Sequence, residues 1–390
     1  MPLTLSGTGH LGTASTMSET KSRKFCVFCG KTPNSKTREH VVPYWLLEMT
    51  GDPKRVVTLG LDYTKGKAPI SYAWQAFVAP ACDDCNNTFS KLEARIKPTI
   101  EALERREALT VSQYDELLDW LDKVRIGVWL LRGMIEKNAI AVDPNFHIAS
   151  RMGRKDRMLA VYVFDSQLPG INLFGNDSMI SASMPSCFGL RINGLLLFNI
   201  SSDFFCSKGC GLPHPAEMSL LHGGDNHGMM SLKGHGYAFD VSHPVTNLAL
   251  PKPVVWLYQP IKSLTSKAEF QGGYYGHTNM FDTRLVSRTL GGEGAKGAIF
   301  RQWADGVEVL NNPMSIIEFD EVVGDDCKTA GEIAASVYDA QVDLFESIPV
   351  EWVAPSKSKE FHNQLRAMKV ESNRAFAKIY RERGSEVPSQ

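Results

Sequence analysis

The stretch that decides the fold opens with Cys26-Val-Phe-Cys29, continues through Glu39-His40-Val-Val-Pro43 and closes with Cys82-Asp-Asp-Cys85. Two Cys-x-x-Cys pairs are typical of a tetrahedral Zn²⁺ site, because each pair presents two thiolates from one tight turn. Gly30, directly after the first pair, supplies the backbone freedom that such a turn needs. Positions 30 to 81 place 52 residues between the pairs, more than in a simple zinc ribbon. We therefore expect the four cysteines to bind one zinc ion that holds the intervening segment in place.

The composition is that of an ordinary globular protein long enough for two or three domains: 390 residues, 43% hydrophobic and 22% charged, with a formal net charge of −1. A near-neutral chain does not resemble a strongly basic nucleic-acid-binding protein. The charge is uneven, however, because residues 21–110 hold 15 Lys and Arg against 10 Asp and Glu, a local balance of +5. This asymmetry weakly favours a polyanionic partner for the N-terminal part.

Eight cysteines in a chain of this length do not indicate a disulfide scaffold. Residues 1–24 are rich in Ser, Thr and Gly and lack the apolar core of a signal peptide, so we predict a disordered leader. No run of 18 apolar residues predicts a transmembrane helix, and no membrane partner is expected. The cytoplasm is the expected compartment.

The remaining pattern predicts an α+β protein. A helix should begin at the second cysteine pair and run to Ile96, with Pro98 as a kink before a further helical stretch at 99–108. Ser112 is the expected N-cap of a helix at 113–137, with Asp115 at its third position. Strands are predicted at 159–164, 188–200 and 254–258, and helices at 329–347 and 358–383. These elements divide the chain into a metal module at 25–110, a helical connector at 111–150 and a larger α+β domain at 151–390.

The ordered combination of two cysteine pairs, an acidic-His-x-x-Pro motif at Glu39–Pro43 and Asn86 after the last cysteine resembles the HNH endonuclease family. The likeness covers about 70 residues and is similar to a bacterial subgroup whose C-terminal regions are mostly uncharacterised. It implies a treble-clef-like ββα-metal module with a structural zinc. It also implies that the C-terminal domain serves target recognition, ligand sensing or oligomerisation, and it suggests bacterial defence as a biological context.

The same resemblance implies a metal-dependent endonuclease that hydrolyses phosphodiester bonds, with double-stranded DNA as the expected partner. His40 would be the general base that activates water. Glu39 and Asn86 would hold a divalent cation, Mg²⁺ or a similar hard ion. Cutting both strands requires two active sites or two successive nicks, and a homo-oligomer is one way to provide two.

The sequence departs from the family pattern in two places. No Asn occurs between Val41 and Cys85, so the middle Asn that braces the loop is missing, and Gln75 is the candidate substitute. Glu39 stands where Asp is commoner. These departures leave an alternative open: a catalytically inactive, zinc-stabilised module that binds nucleic acid or is purely structural.

Weaker candidates surround the motif. Asn87 and Glu93 are candidates for supporting contacts, although Glu93 is more typical of a polar helix face. Trp45 and Trp74 are expected in the core rather than as base-stacking platforms. Five basic side chains would contact phosphates or form a solvated rim: Lys31, Lys36, Arg38, Lys91 and Arg95.

Residues 206–243 are rich in Gly, Cys and His, but their spacing matches no known metal site, so a loop without metal is the preferred interpretation. Cys187 and Cys327 are predicted to be buried thiols. The basic residues of the last helix alternate with acidic ones, which favours a solvated face over a DNA contact.

Overall fold

The protein is α+β, and its structure is a computed structural model. It describes residues 2–3, 24–62, 68–135, 147–153, 157–165, 169–174, 187–201, 217–220, 230–233, 250–259, 296–303, 306–324, 328–347 and 359–383. Most of the predicted leader lies outside these ranges. The part of it that is described, β1 (Pro2–Leu3), pairs with residues 230–231.

The N-terminal part is built from short strands around two helices. Strand β2 (Arg38–His40) pairs antiparallel with β5 (Val78–Pro80), so that Glu39 lies opposite Ala79 and His40 opposite Val78. Between these strands lie helix α1 (Tyr44–Met49), the hairpin of β3 (Val56–Asp62) and β4 (Ala68–Ala73), and a 3₁₀ turn, Trp74–Ala76. Strand β2, which carries Glu39 and His40, is therefore held by pairing with β5 at the far end of the inserted segment.

Helix α2 (Asp83–Glu104) begins inside the second cysteine pair. Its acidic first turn, Asp83 and Asp84, suits the partial positive charge of a helix N-terminus. The two predicted helical stretches on either side of Pro98 form one continuous helix. Ile96 and Ile100, on either side of the proline, are both fully buried, and this packing offsets the backbone hydrogen bond that proline cannot donate.

Helix α3 (Val111–Ile135) confirms the predicted helix at 113–137 but not its predicted cap. Thr110 and Gln113 cap it instead: the Gln113 amide oxygen accepts from Thr110 N at 2.8 Å, and Thr110 Oγ1 accepts from Gln113 N at 3.2 Å. Asp115 is drawn away from the cap because its carboxylate pairs with Lys296 at 2.8 Å and accepts from Gln259 at 2.8 Å.

The C-terminal part is organised by a seven-stranded antiparallel sheet. The strand order is β15-β14-β13-β7-β10-β9-β8, and the predicted strands at 159–164, 188–200 and 254–258 are confirmed within it, the second as a hairpin. The strands are β7 (Arg157–Val163), β8 (Ile171–Phe174), β9 (Cys187–Ile192), β10 (Leu195–Ser201), β13 (Val255–Gln259), β14 (Ile299–Trp303) and β15 (Gly306–Leu310).

Alternate residues of these strands face two different cores, as the two-residue period of a strand requires. Leu159 and Val161 of β7 belong to the core that also contains α3 and the cysteine region. Met158 and Ala160 belong to a second core, formed with α5 (Ala330–Ser347) and α6 (Lys359–Arg383). The sheet is thus covered by α3 on one face and by the two final helices, both predicted, on the other.

The first core is continuous from Cys26 through α3 to the sheet. Every residue of α3 from Leu117 to Leu131 except Asp119 is buried, which makes this helix the shared centre of the two parts. The domain limits at 110 and 150 stay predictions, but the apolar core crosses both. The short helix α4 (Ile148–Arg151) packs on α3.

The remaining strands are short. Strand β6 (Leu109–Thr110) pairs with β16 (Ile316–Ile317), and β11 (Glu217–Leu220) pairs with β12 (Met230–Lys233). Within the described ranges, no helix combines the length and the apolar character needed to cross a lipid bilayer.

Candidate metal centre and active site

The four cysteines of the two pairs meet at one point. The Sγ atoms of Cys26, Cys29, Cys82 and Cys85 all lie within 4.8 Å of one another, and Cys29 Sγ is 4.0 Å from Cys82 Sγ. Zn–S bonds of about 2.3 Å in a tetrahedron put the sulfur atoms about 3.8 Å apart. The four thiols therefore fit a metal such as zinc.

Local backbone geometry explains why the first pair forms a knuckle. Gly30 N donates to Cys26 O at 2.8 Å, and Gly30 has φ +75°, a left-handed conformation that costs glycine nothing. The knuckle also fits tightly against its surroundings, since a Cβ on Gly30 would lie 2.4 Å from the His147 ring. Cys82 N donates to Cys26 Sγ at 3.3 Å, which joins the two pairs directly.

The electrostatics of the thiols favour a bound cation. Burial raises the pKa of Cys26, but backbone N–H groups of the knuckle and of Cys82 lower it by more, so this thiol ionises readily. Burial and the neighbouring thiolates raise the pKa of Cys85 to about 12. A metal ion would compensate the negative charge that otherwise resists ionisation of the fourth thiol.

His40 ends strand β2 and is half-buried. Its ring makes an edge contact with Tyr44, with 5.6 Å between ring centroids, and Tyr44 is 42% exposed. Burial lowers the pKa of His40, although a hydrogen bond to the backbone carbonyl of Gln75 partly raises it. The imidazole is therefore neutral at pH 7 and able to accept a proton.

Gln75, the candidate substitute for the missing Asn, acts on His40 through its backbone carbonyl, and its side chain is exposed. Gln75 is held in place because its N–H donates to Pro53 O at 2.9 Å. The loop is thus braced by main-chain contacts that no side-chain motif would reveal.

Glu39 is buried beside a cation that the motif does not contain. The ammonium of Lys123, on α3, donates to carboxylate oxygens of both Glu39 and Glu93. Attraction to these two carboxylates raises the pKa of Lys123, more than burial lowers it, so Lys123 is charged. Burial raises the pKa of Glu39, and attraction to Lys123 offsets part of this effect. The charges of Glu93 and Lys123 also have small, opposite effects on the pKa of His40.

Sequence reasoning missed Lys123 and underrated Glu93. Glu93 lies in the third turn of α2 with a side chain only 19% exposed, and it does not belong to a solvated face. The sequence did contain a signal for Lys123, because this residue lies within the largely apolar helical stretch from Leu117 to Leu131. A lysine that is buried in such a stretch needs an acidic partner.

Asn86 lies in the first turn of α2, partly exposed, and its backbone N–H donates to Cys82 O at 2.9 Å. Across the described part of the chain, no side-chain hydrogen bond joins Asn86 to Glu39 or His40. Asn87 is exposed and accepts a hydrogen bond from Ser90 through its backbone carbonyl. Glu39 and His40 are consecutive in β2, and in the described residues the side-chain partner of the Glu39 carboxylate is Lys123, not the Asn86 amide.

The basic residues near the site divide into two groups. Lys31, Lys36, Arg38 and Lys91 are exposed. Arg95 is also exposed, but it pairs with Glu116 at 2.6 Å.

Several other predicted residues have a definite place. Trp74 is buried and Trp45 packs on the core, as expected, and Cys187 is a buried thiol. Cys327 lies outside the described residues, and so do all the cysteines and histidines of the segment 206–243, for which a loop without metal was predicted.

No family model, curated protein or solved structure matches this chain. A function for this chain is therefore proposed from its sequence motif and the geometry of the site.

Proposed function

We propose that this chain is an HNH-type endonuclease that hydrolyses phosphodiester bonds in DNA, with its active site in a zinc-stabilised module at residues 25–110. One observation carries the proposal. Two cysteine pairs with 52 residues between them (positions 30 to 81) converge on one metal-sized cluster, and the intervening segment carries the half-buried His40, whose pKa is lowered, next in sequence to the buried Glu39. A zinc ion with a purely structural role would require the four cysteines but not the histidine and the buried carboxylate between them.

The proposed chemistry rests on His40. Its neutral imidazole accepts a proton from water, and the water oxygen attacks phosphorus. The bond from phosphorus to one ester oxygen breaks, and that oxygen takes up a proton from solvent. The carbonyl of Gln75 and the ring of Tyr44 orient the imidazole. Such a base typically contributes about 10²–10⁴-fold to the rate.

The cation ligands proposed from the resemblance are Glu39 and Asn86, with Mg²⁺ as the expected ion. Their oxygen donors suit a hard cation, which when bound neutralises charge on the phosphate. The fit is incomplete, because the Lys123 ammonium already occupies the Glu39 carboxylate.

The proposed DNA surface is the exposed side of the same module. Lys36 precedes β2, Arg38 begins it, and both residues are exposed. Tyr44 offers an exposed aromatic ring next to His40. Phosphate contacts by such groups make binding strongly salt-dependent.

A plasmid-nicking assay tests the proposal. We expect His40→Ala, purified free of contaminating nuclease, to lose at least about 100-fold in nicking rate while keeping its zinc content and melting temperature. The matched control is His147→Ala: this histidine is also half-buried but packs against Phe25, with 5.1 Å between ring centroids, outside the proposed site. Equal nicking by the parent and His40→Ala would remove His40 from the mechanism.

The ion pair of Glu39 with Lys123 favours a second candidate, an inactive zinc-stabilised module that binds nucleic acid. In that case the group of Glu39, Glu93 and Lys123, called the triad below, is a structural element and not a cation site. Retention of a DNA fragment in a gel-shift assay, with no nicking by the parent in Mg²⁺ or Mn²⁺, would favour this candidate.

A further inference from the structure

The acidic groups of the proposed site converge on a lysine from a different part of the chain. Glu39 belongs to β2, Glu93 to α2 and Lys123 to α3, and one ammonium donates to both carboxylates. The side chains of Lys123 and Glu39 are 1% and 9% exposed, so water does not screen this pairing. The ammonium thus lies where a divalent ion bound between the two carboxylates would lie.

The position of Lys123 is fixed from the other side of its helix. Its neighbour Asp122 pairs with Arg125 at 2.7 Å and with Arg157 of β7 at 3.0 Å. Asp122 also accepts from Gly153 N at 2.9 Å. Consecutive residues of α3 therefore join the sheet and the proposed active site, and α3 holds the lysine against Glu39.

The charges show what a divalent cation would meet. Two carboxylates and one ammonium leave the triad at −1. A divalent ion added beside the ammonium would be repelled by it, whereas one that takes its place would have two carboxylates and no repulsion. The two cations therefore exclude each other at Glu39.

We propose that Lys123 is the resident cation of the Glu39/Glu93 pair and competes for it with the divalent ion, which would then have Glu93 in place of Asn86 as its second ligand. This inference rests on the proposed function for its biological meaning, but it concerns cation binding and can be tested without nuclease activity. It makes Lys123 a positioning residue: it holds the carboxylates in the ion-free protein and sets the concentration of ion that the site requires.

The test is a titration of zinc-loaded full-length protein with Mn²⁺, followed by electron paramagnetic resonance and by melting temperature. Lys123→Met removes the competing charge and keeps the length of the side chain. We expect this variant to melt below the parent without Mn²⁺, to recover on adding it, and to reach half-saturation at least about tenfold below the parent.

Two controls separate competition from a general loss of packing. Lys123→Arg keeps the charge, so it should show the weak Mn²⁺ response of the parent. Lys123→Met combined with Glu39→Gln removes one carboxylate as well, so its Mn²⁺ response should fall back toward that of the parent. A structural role for the lysine would not produce this pattern.

The proposal is overturned if Lys123→Met binds Mn²⁺ no more tightly than the parent, or if all variants respond alike. If the Lys123→Met variant does not fold, Lys123→Gln replaces it in the titration, because glutamine can still donate N–H hydrogen bonds to the carboxylates but carries no charge. Failure of both variants to fold even with Mn²⁺ present also counts against it, because the ion should replace the ammonium. Absence of nicking in every protein would overturn the nuclease function alone.

Discussion

Substituting alanine for Gly30 tests the construction of the cysteine knuckle. Gly30 has φ +75°, where an L-residue costs about 1–2 kcal/mol. The added Cβ would also meet the His147 ring at 2.4 Å, well inside contact distance, and relief of such overpacking costs about 1–3 kcal/mol. Together we expect a loss of about 2–5 kcal/mol in the free energy of unfolding.

The two causes can be separated by a double-mutant cycle. In a His147→Ala background the clash disappears and only the backbone cost, about 1–2 kcal/mol, remains. Urea unfolding of the zinc-loaded proteins, followed by tryptophan fluorescence, measures all four free energies. Zinc transfer to a chromogenic chelator should be faster in Gly30→Ala, because the strained knuckle holds two of the four thiols. Equal penalties for Gly30→Ala in both backgrounds would refute the role of His147, and a penalty near zero would refute the strained knuckle itself.

Two further predictions concern the metal cluster and the buried charges. Cys85→Ala should weaken zinc binding and destabilise the N-terminal part, as measured by zinc loss to a competing chelator and by thermal melting, because only three of the four thiolates remain to hold the ion. Arg157→Met should cost about 3–5 kcal/mol in urea unfolding, because its guanidinium is fully buried and pairs with Asp119 at 2.7 Å and with Asp122 at 3.0 Å. Burial raises the pKa of Asp122, but attraction from Arg125 and Arg157 lowers it by more, so the contribution of this carboxylate to parent stability should be lost only as pH falls below the ordinary aspartate value near 4. The variant should lose stability at a higher pH than the parent, and superimposable pH profiles would contradict this assignment.

The arrangement of α3 links the two parts of the molecule. Lys123 pairs with the proposed active site, while Arg125 and Asp122, two residues or fewer away, pair with groups on the sheet side. Since these side chains are buried, a shift of α3 relative to the sheet would move the Lys123 ammonium relative to Glu39. The C-terminal part therefore has a direct physical connection to the proposed catalytic groups, whatever its own role.

The local parts of the fold were predictable from the sequence. The cysteine knuckle was predictable, because such a turn needs only two cysteines and a permissive glycine close together in the chain, and the two motifs together predicted that the four thiols would meet. The helix at 113–137 and the central strands were predictable because apolar periodicity reports burial directly. The cap of α3 was misjudged at Ser112 because Asp115, a plausible capping partner, has stronger partners far away in sequence.

The parts that could not be predicted are pairings between distant segments. Nothing local to Glu39 indicates that Lys123, 84 positions later, neutralises it. Likewise, Pro98 alone does not tell whether the helix continues as one element, and burial of Ile96 and Ile100 on both sides explains why α2 does.

Chemical identity and short-range spacing thus determined the two cysteine knuckles, the helices and the candidate base, since these depend on residue type and on neighbours within a few residues. Only tertiary packing decided the partners of the buried ion pairs, the order of the seven strands and the position of Lys123 beside Glu39. The reason is physical: a buried charge must find its counter-ion wherever the fold brings one, and that choice is made in space after the local elements have formed.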